Sequence, residues 1–198
     1  MSRIKINATK SQPKIFTLRR PKMPDPLKIK NVDIKWNRKD QPVRYVGVLL
    51  DQKLTWKYHI KEIANKTYVK LAKLYPIINR HSRLKIECGI TLFKTIIRPS
   101  LTYACPIWGG AAKRNLDKLQ IVQNKFLRRI IKAPWYLSNK QIRYELQIEK
   151  LNMYIRRLSE KFFEDLAKAD CAKNFNLGCS AKNIKINSRF PKDKLRPP

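Results

Sequence analysis

Between residues 111 and 133 the chain repeats apolar and basic side chains with the period of an α-helix. At about 100° per residue, Leu116, Leu119, Val122, Phe126, Leu127 and Ile130 share one broad face. Arg114, Lys118, Lys125, Arg128, Arg129 and Lys132 gather on a separate face roughly 100° wide. Such a helix must lay its apolar face on a core and turn its cations outward. Like charges on one side repel, and a phosphate backbone beside them would relieve the repulsion. A plain solvated face is the other reading, with Asp117 the one acid near the stripe.

The whole chain repeats the bias. Its 198 residues carry 45 Lys and Arg against 14 Asp and Glu, a formal net charge of +31. The cations lie in segments that also carry apolar periodicity, so a folded basic surface is expected rather than a disordered arm. Nucleic acid is the usual polyanion to neutralise such a surface, with an anionic membrane surface as runner-up. Hydrophobic residues make up 43%, enough for a core. No apolar run approaches the roughly 18 residues of a membrane helix, and the N-terminus has no signal-peptide core. Cys88, Cys105, Cys171 and Cys179 form no C-x-x-C, and only His59 and His81 could assist them. That argues against zinc and for reduced thiols inside the cell. The two histidines lie apart without a paired acid or thiol, which argues against a catalytic base. Cys88 and Cys105 lie in apolar helical text and are expected to be buried.

The first fifty residues read as β structure. "KIFTLRR" (14–20) alternates, "LKIKNVDIKW" (27–36) is a tight hairpin around Asn31, and "VRYVGVLL" (43–50) is a further strand. "DQKLTW" (51–56) then turns back or leads into a helix, with the turn expected at Asp51 to Lys53. Helical text follows. Residues 57–80 place Ile60, Ile63, Ala64, Thr67, Leu71, Leu74 and Ile78 at helical spacing, with Pro76 late. Lys57, Lys61, Lys66, Lys70 and Lys73 are expected to give this helix a basic side. Residues 84–111 are apolar on most sides and predict a buried helix, interrupted at Pro99 and stopped by Gly109 and Gly110. Two more helices are predicted, one capped by Ser138 and one over residues 150–169. The fold class is therefore α+β: a small N-terminal antiparallel β platform, then a mainly α-helical bundle. Trp108, Trp135 and Tyr136 sit beside Pro106 and Pro134 and are expected to pack at helix junctions; stacking on bases is the alternative.

Six stretches carry a resemblance: "RIKINATKS" (3–11), "FTLRR" (16–20), "RYVGVLLDQKLTWKYHI" (44–60), "LYPIINRHSRL" (74–84), "IIRPSLTYACPIWGGAAK" (96–113) and "LQIVQNKFLRRIIKAPWY" (119–136). In this order they resemble the C-terminal part of a jockey-type non-LTR retrotransposon reverse transcriptase, an RNA-directed DNA polymerase. The resemblance implies that residues 1–56 correspond to the end of the palm with its primer-grip hairpin. It implies a helical thumb over 57–136 and, beyond Tyr136, a region connecting to the C-terminal end of such a protein; the residues themselves read there as C-terminal helices over 137–170 and a flexible basic tail over 171–198. Lys10 would lie near the incoming triphosphate. Arg44, Tyr45, Val46 and Gly47 would form the primer grip, where a glycine backbone can approach a sugar-phosphate strand closely. A hairpin with a glycine bulge is what the residues alone suggest there. The implied partner is an RNA–DNA hybrid or duplex, bound without sequence preference and without a membrane.

Polymerisation in that family needs paired carboxylates holding two Mg²⁺ ions. This chain has no Asp-Asp pair, and its first aspartate is Asp25. Mg²⁺ is thus implied for the complete enzyme and no cofactor for this chain. The expectation is a truncated polymerase fragment, inactive alone, that keeps elements for primer-template binding. A product of a decayed element and a piece of a larger active polymerase remain open.

Overall fold

The computed structural model describes residues 7, 11–17, 24–29, 32–37, 41–79 and 81–168. They form an α+β protein in two compact units that divide between His59 and Ile60.

The first unit holds two separate antiparallel ladders, so the expected platform is two hairpins rather than one sheet. Strands β1 (Leu27–Ile29) and β2 (Val32–Ile34) pair Leu27 with Ile34 and Ile29 with Val32, as the alternation predicted. Strands β3 (Val43–Tyr45) and β4 (Val48–Leu50) pair Val43 with Leu50 and Tyr45 with Val48. "VRYVGVLL" is therefore a whole hairpin, and its reversal falls at Val46 and Gly47. Residues 14–17 form no ladder; instead the Thr17 N–H donates to the Gln52 carbonyl at 3.1 Å, and Lys14 Nζ donates to the Gln41 carbonyl at 2.7 Å. The rest of that predicted strand, 18–20, lies outside the described residues.

The predicted turn after Leu50 exists but serves another purpose. Leu54 N–H donates to the Asp51 carbonyl at 2.9 Å. The buried Asp51 carboxylate accepts from Thr55 N–H, Thr55 Oγ1 and Trp56 N–H, each at 2.9 Å. This knot holds Leu54 and Trp56 at φ of 51° and 62° and delivers the chain into α1 (Lys57–Ile78). His59 is buried, and its Nδ1 accepts from Leu49 N–H at 3.3 Å.

The second unit is helical. In α1, Ile60, Ile63, Ala64, Thr67, Leu71 and Ile78 are buried as the spacing predicted, while Leu74 is half-buried. Pro76 sits in the last turn without breaking it. Asn79 closes the end: its Oδ1 accepts from the N–H groups of His81 and Ser82, each at 2.9 Å. Next come α2 (Ile86–Leu92), a π-helical segment (Phe93–Ile97) and α3 (Arg98–Thr102). The Arg98 N–H reaches back five residues to the Phe93 carbonyl. This wide turn stands directly before Pro99, whose ring would crowd a regular turn and which has no N–H to donate. Gly89, Phe93, Ile97 and Leu101 are buried, but Ile86, Cys88, Thr91, Thr95 and Pro99 are exposed. Only one face of this predicted buried helix is buried, and Cys88 is an exposed thiol. The hydroxyls of Thr91, Thr95, Ser100 and Thr102 each donate to the carbonyl four residues earlier, which lets the outer face meet water.

At the core centre α7 (Leu151–Lys168) packs against both short α4 (Cys105–Trp108) and α5 (Lys113–Ile130). Trp108 is fully buried, and its Nε1–H donates to the Tyr103 carbonyl at 2.7 Å. Burial pushes the Cys105 thiol up to about 11. The apolar face of α5 is buried as predicted, together with two amides, Gln120 and Gln123. Gln120 Oε1 accepts from Leu151 N–H at 2.8 Å, capping the start of α7, and Gln123 Nε2 donates to the Glu149 carbonyl at 3.0 Å. Helix α6 (Asn139–Glu145) begins at Ser138, whose Oγ accepts from Gln141 N–H at 3.2 Å, as the sequence predicted.

Candidate nucleic-acid interface

Two sets of predicted residues are described, one in each unit; Lys10 lies outside the described residues. In the first unit, Arg44 and Tyr45 close β3, and Val46 and Gly47 are the two central residues of a two-residue turn. Their φ values are 46° and 79°. Positive φ at both positions is what a type I′ hairpin turn demands, and it suits glycine but not a β-branched residue. All four residues are exposed, Tyr45 and Val46 by 68% and 71%. The tip therefore presents a tyrosine, an arginine and a glycine backbone on a short, fixed arm.

In the second unit, α5 separates its faces as the sequence predicted. Arg114, Lys118, Lys125, Arg129 and Lys132 are exposed, and Arg128 is half-buried. Their contacts divide them. Lys125 Nζ lies 5.0 Å from the ring centre of Tyr68, and the Arg129 guanidinium lies 4.9 Å from that of Tyr75. Tyr68 and Tyr75 are seven residues apart, on one flank of α1, so α5 rests two cations on α1 aromatics. Lys132, at φ 52°, donates from Nζ to the Ser82 carbonyl at 3.0 Å.

Arg128 has a structural task. Its guanidinium donates to the carbonyls of Leu137 and Pro134, each at 2.6 Å, and to Trp135 O and Asn139 Oδ1, each at 3.4 Å. It pins the turn after α5. The outward file on α5 is thus Arg114 and Lys118, extended by Lys125 and Arg129 on their tyrosine rests.

The lysines of α1 do not form one side. At about 100° per residue, Lys57 and Lys61 fall on one flank of the buried face and Lys66, Lys70 and Lys73 on the other. Lys66 pairs with Glu62 at 2.5 Å, and Lys70 Nζ donates to Ser100 Oγ at 2.5 Å. The Lys61 flank also carries Tyr68 and Tyr75, and so continues toward the α5 stripe.

Two aromatics depart from expectation. Trp135 is 91% exposed and Tyr136 73% exposed. Junction packing holds for Trp108 and fails for these two.

Among the described residues, no three His, Cys, Asp or Glu side chains come together to hold an ion. Asp51, buried, is committed to Thr55 and Trp56. Among the described residues no helix is long and apolar enough to cross a membrane.

Comparison with known proteins places this surface in context. No protein-family model and no solved structure matches the chain. Over 190 residues, 96% of its length, it is 30% identical to the probable RNA-directed DNA polymerase from transposon X-element of Drosophila melanogaster, and covers 20% of that protein. It is 36% identical over 129 residues to the RNA-directed DNA polymerase from mobile element jockey of the same species, 65% of this chain and 14% of that protein. Against the jockey polymerase of Drosophila funebris it is 29% identical over 153 residues, 77% of this chain and 16% of that protein. The chain therefore spans a fifth or less of the length of these curated relatives. By sequence it belongs with the RNA-directed DNA polymerases of jockey-type mobile elements, as a stretch corresponding to about a fifth of such a protein.

Proposed function

We propose that this chain holds a nucleic-acid duplex or RNA–DNA hybrid by its phosphates, as the primer-template-gripping part of an RNA-directed DNA polymerase. The observation that carries the reading is the outward file Arg114, Lys118, Lys125 and Arg129 on α5, in a chain of net charge +31. Each of these side chains reaches solvent, and among the described residues none is paired with an acid. Lysine and arginine contacts to phosphate fix position without reading bases, so binding is expected to be sequence-tolerant and steeply salt-dependent. In the first unit, the hairpin tip fits a primer grip: Gly47 allows close backbone approach, and Arg44 adds a phosphate-directed charge.

The role proposed for the described residues is gripping. The test is fluorescence anisotropy with a labelled RNA–DNA hybrid at low salt, repeated as salt is raised. The expected result is saturable binding that falls linearly in log affinity against log salt. No binding at low salt would overturn the reading.

A further inference from the structure

Trp135 and Tyr136 are the two central residues of a hydrogen-bonded turn, closed by Leu137 N–H donating to the Pro134 carbonyl at 3.3 Å. Their rings meet edge to face, 5.9 Å between centres at 82°. The turn is held from beneath by Arg128, whose guanidinium binds the carbonyls of Pro134, Trp135 and Leu137. From the other side, the Ala133 N–H donates to the Arg128 carbonyl at 2.9 Å. A tryptophan and a tyrosine are thus fixed in position yet left in water, at the C-terminal end of the basic helix. Leaving this much aromatic surface in water is unfavourable unless something covers it.

The neighbouring charge indicates what does. All four acceptors of Arg128 are amide or backbone oxygens, so its charge is not cancelled by a carboxylate. Lys132 precedes the turn and Lys140 follows it, both exposed. An aromatic pair framed by cations suits unpaired bases, which stack on rings while their phosphates meet the charges. Inside a duplex each base pair is covered on both faces by its neighbours and offers none to such rings.

We propose that Trp135 and Tyr136 form a stacking platform for single-stranded nucleic acid, placed to receive the unpaired strand that continues beyond a duplex held along α5. This rests on the phosphate-gripping role of α5, and adds to it a preference for a junction between paired and unpaired strand.

The test uses the full chain and three probes: a blunt duplex, the same duplex with a single-stranded extension, and an oligothymidylate. Trp56 and Trp108 are buried and Trp36 is half-buried, so the quenching of tryptophan emission by single strand that Trp135→Phe removes reports on Trp135. The expected result is tighter binding of the extended duplex than of the blunt one, with quenching on the extended duplex and on oligothymidylate. Trp135→Ala with Tyr136→Ala should lose on the order of tenfold affinity for the extension and most of the quenching, with blunt-duplex affinity unchanged. Trp135→Phe should restore much of the affinity. Blunt and extended duplexes bound equally, or affinity for the extension unchanged in the double variant, would overturn the platform and leave the gripping role standing. A failure to bind any probe at low salt would overturn both. Self-association of the wild-type chain that the double variant abolishes would assign the pair to a second copy and overturn the platform.

Discussion

At the residue scale, Val46 is the most strained position the hairpin carries. A β-branched side chain at φ 46° sits where a type I′ turn prefers asparagine or glycine. The left-handed region costs an ordinary L-residue about 1–2 kcal/mol. Val46→Asn is therefore expected to stabilise the protein by ~1 kcal/mol, read as a higher urea midpoint at unchanged slope. The same residue hides the turn from the sequence pattern. "VRYVGVLL" reads as one strand because valine at the turn argues against a turn, and only Gly47 hinted at the reversal.

Two cysteines make a second residue-scale contrast. Cys105 is buried beside Ser159, and desolvation pushes its thiol from 9.0 to about 11, whereas Cys88 lies exposed. At neutral pH an alkylating reagent should label Cys88 at once and Cys105 only on unfolding, as peptide mass mapping would show. The linkage has a definite sign. The raised folded-state value contributes stability that is fully present below pH about 9 and is lost as pH rises through about 11. Urea unfolding of wild type and Cys105→Ala across that window should show the wild type alone losing stability from this source.

At the element scale, the approach of α2 to α5 depends on Gly89. A Cβ there would lie 2.5 Å from Ile130 Cγ2, 3.1 Å from Cγ1 and 3.3 Å from Cβ. In an exposed helix, alanine for glycine gains about 1 kcal/mol of helix propensity. Here the obstacle is the branched root of a buried isoleucine, which cannot swing aside, and overpacking of this kind costs about 1–3 kcal/mol. The clash wins: Gly89→Ala should destabilise, measured by thermal melting, and should cost less when made in an Ile130→Ala background, where the obstacle is gone.

The elements also show what periodicity can and cannot reveal. The apolar faces of α1 and α5 were legible because burial follows the 3.6-residue repeat. Gln120 and Gln123 were not, because a buried amide looks polar until its partners, Leu151 N–H and the Glu149 carbonyl, are placed. The helix over 84–111 misled because its outer face carries Thr91, Thr95 and Cys88, which resemble core text. Its π turn follows from Pro99, whose position was visible though its consequence was not. Within the site, the basic stripe was legible as a face, but Arg128 was not separable from its neighbours. Nothing in the spacing says that two of the six cations, Arg128 and Lys132, donate to backbone carbonyls.

At the scale of the whole molecule, that division between gripping and structural cations can be measured. A chain of net charge +31 repels itself, and a polyanion should both bind it and raise its melting temperature. Each lysine or arginine that neutralises a phosphate contributes about 0.9 to the slope of log affinity against log salt on duplex DNA. Arg114 and Lys118 are exposed and carry no packing role, so Arg114→Gln and Lys118→Gln should each lower that slope by about 0.9. Their effect on stability should stay within ~0.5 kcal/mol. Arg128→Gln should behave oppositely. It removes one donor from each of four oxygens and should cost about 1–3 kcal/mol of stability, while changing the salt slope of the blunt duplex little. If the three variants instead shift slope and stability together, the stripe is one undivided charge field, and the assignment of Arg128 to the fold and of Arg114 and Lys118 to the phosphate falls with it.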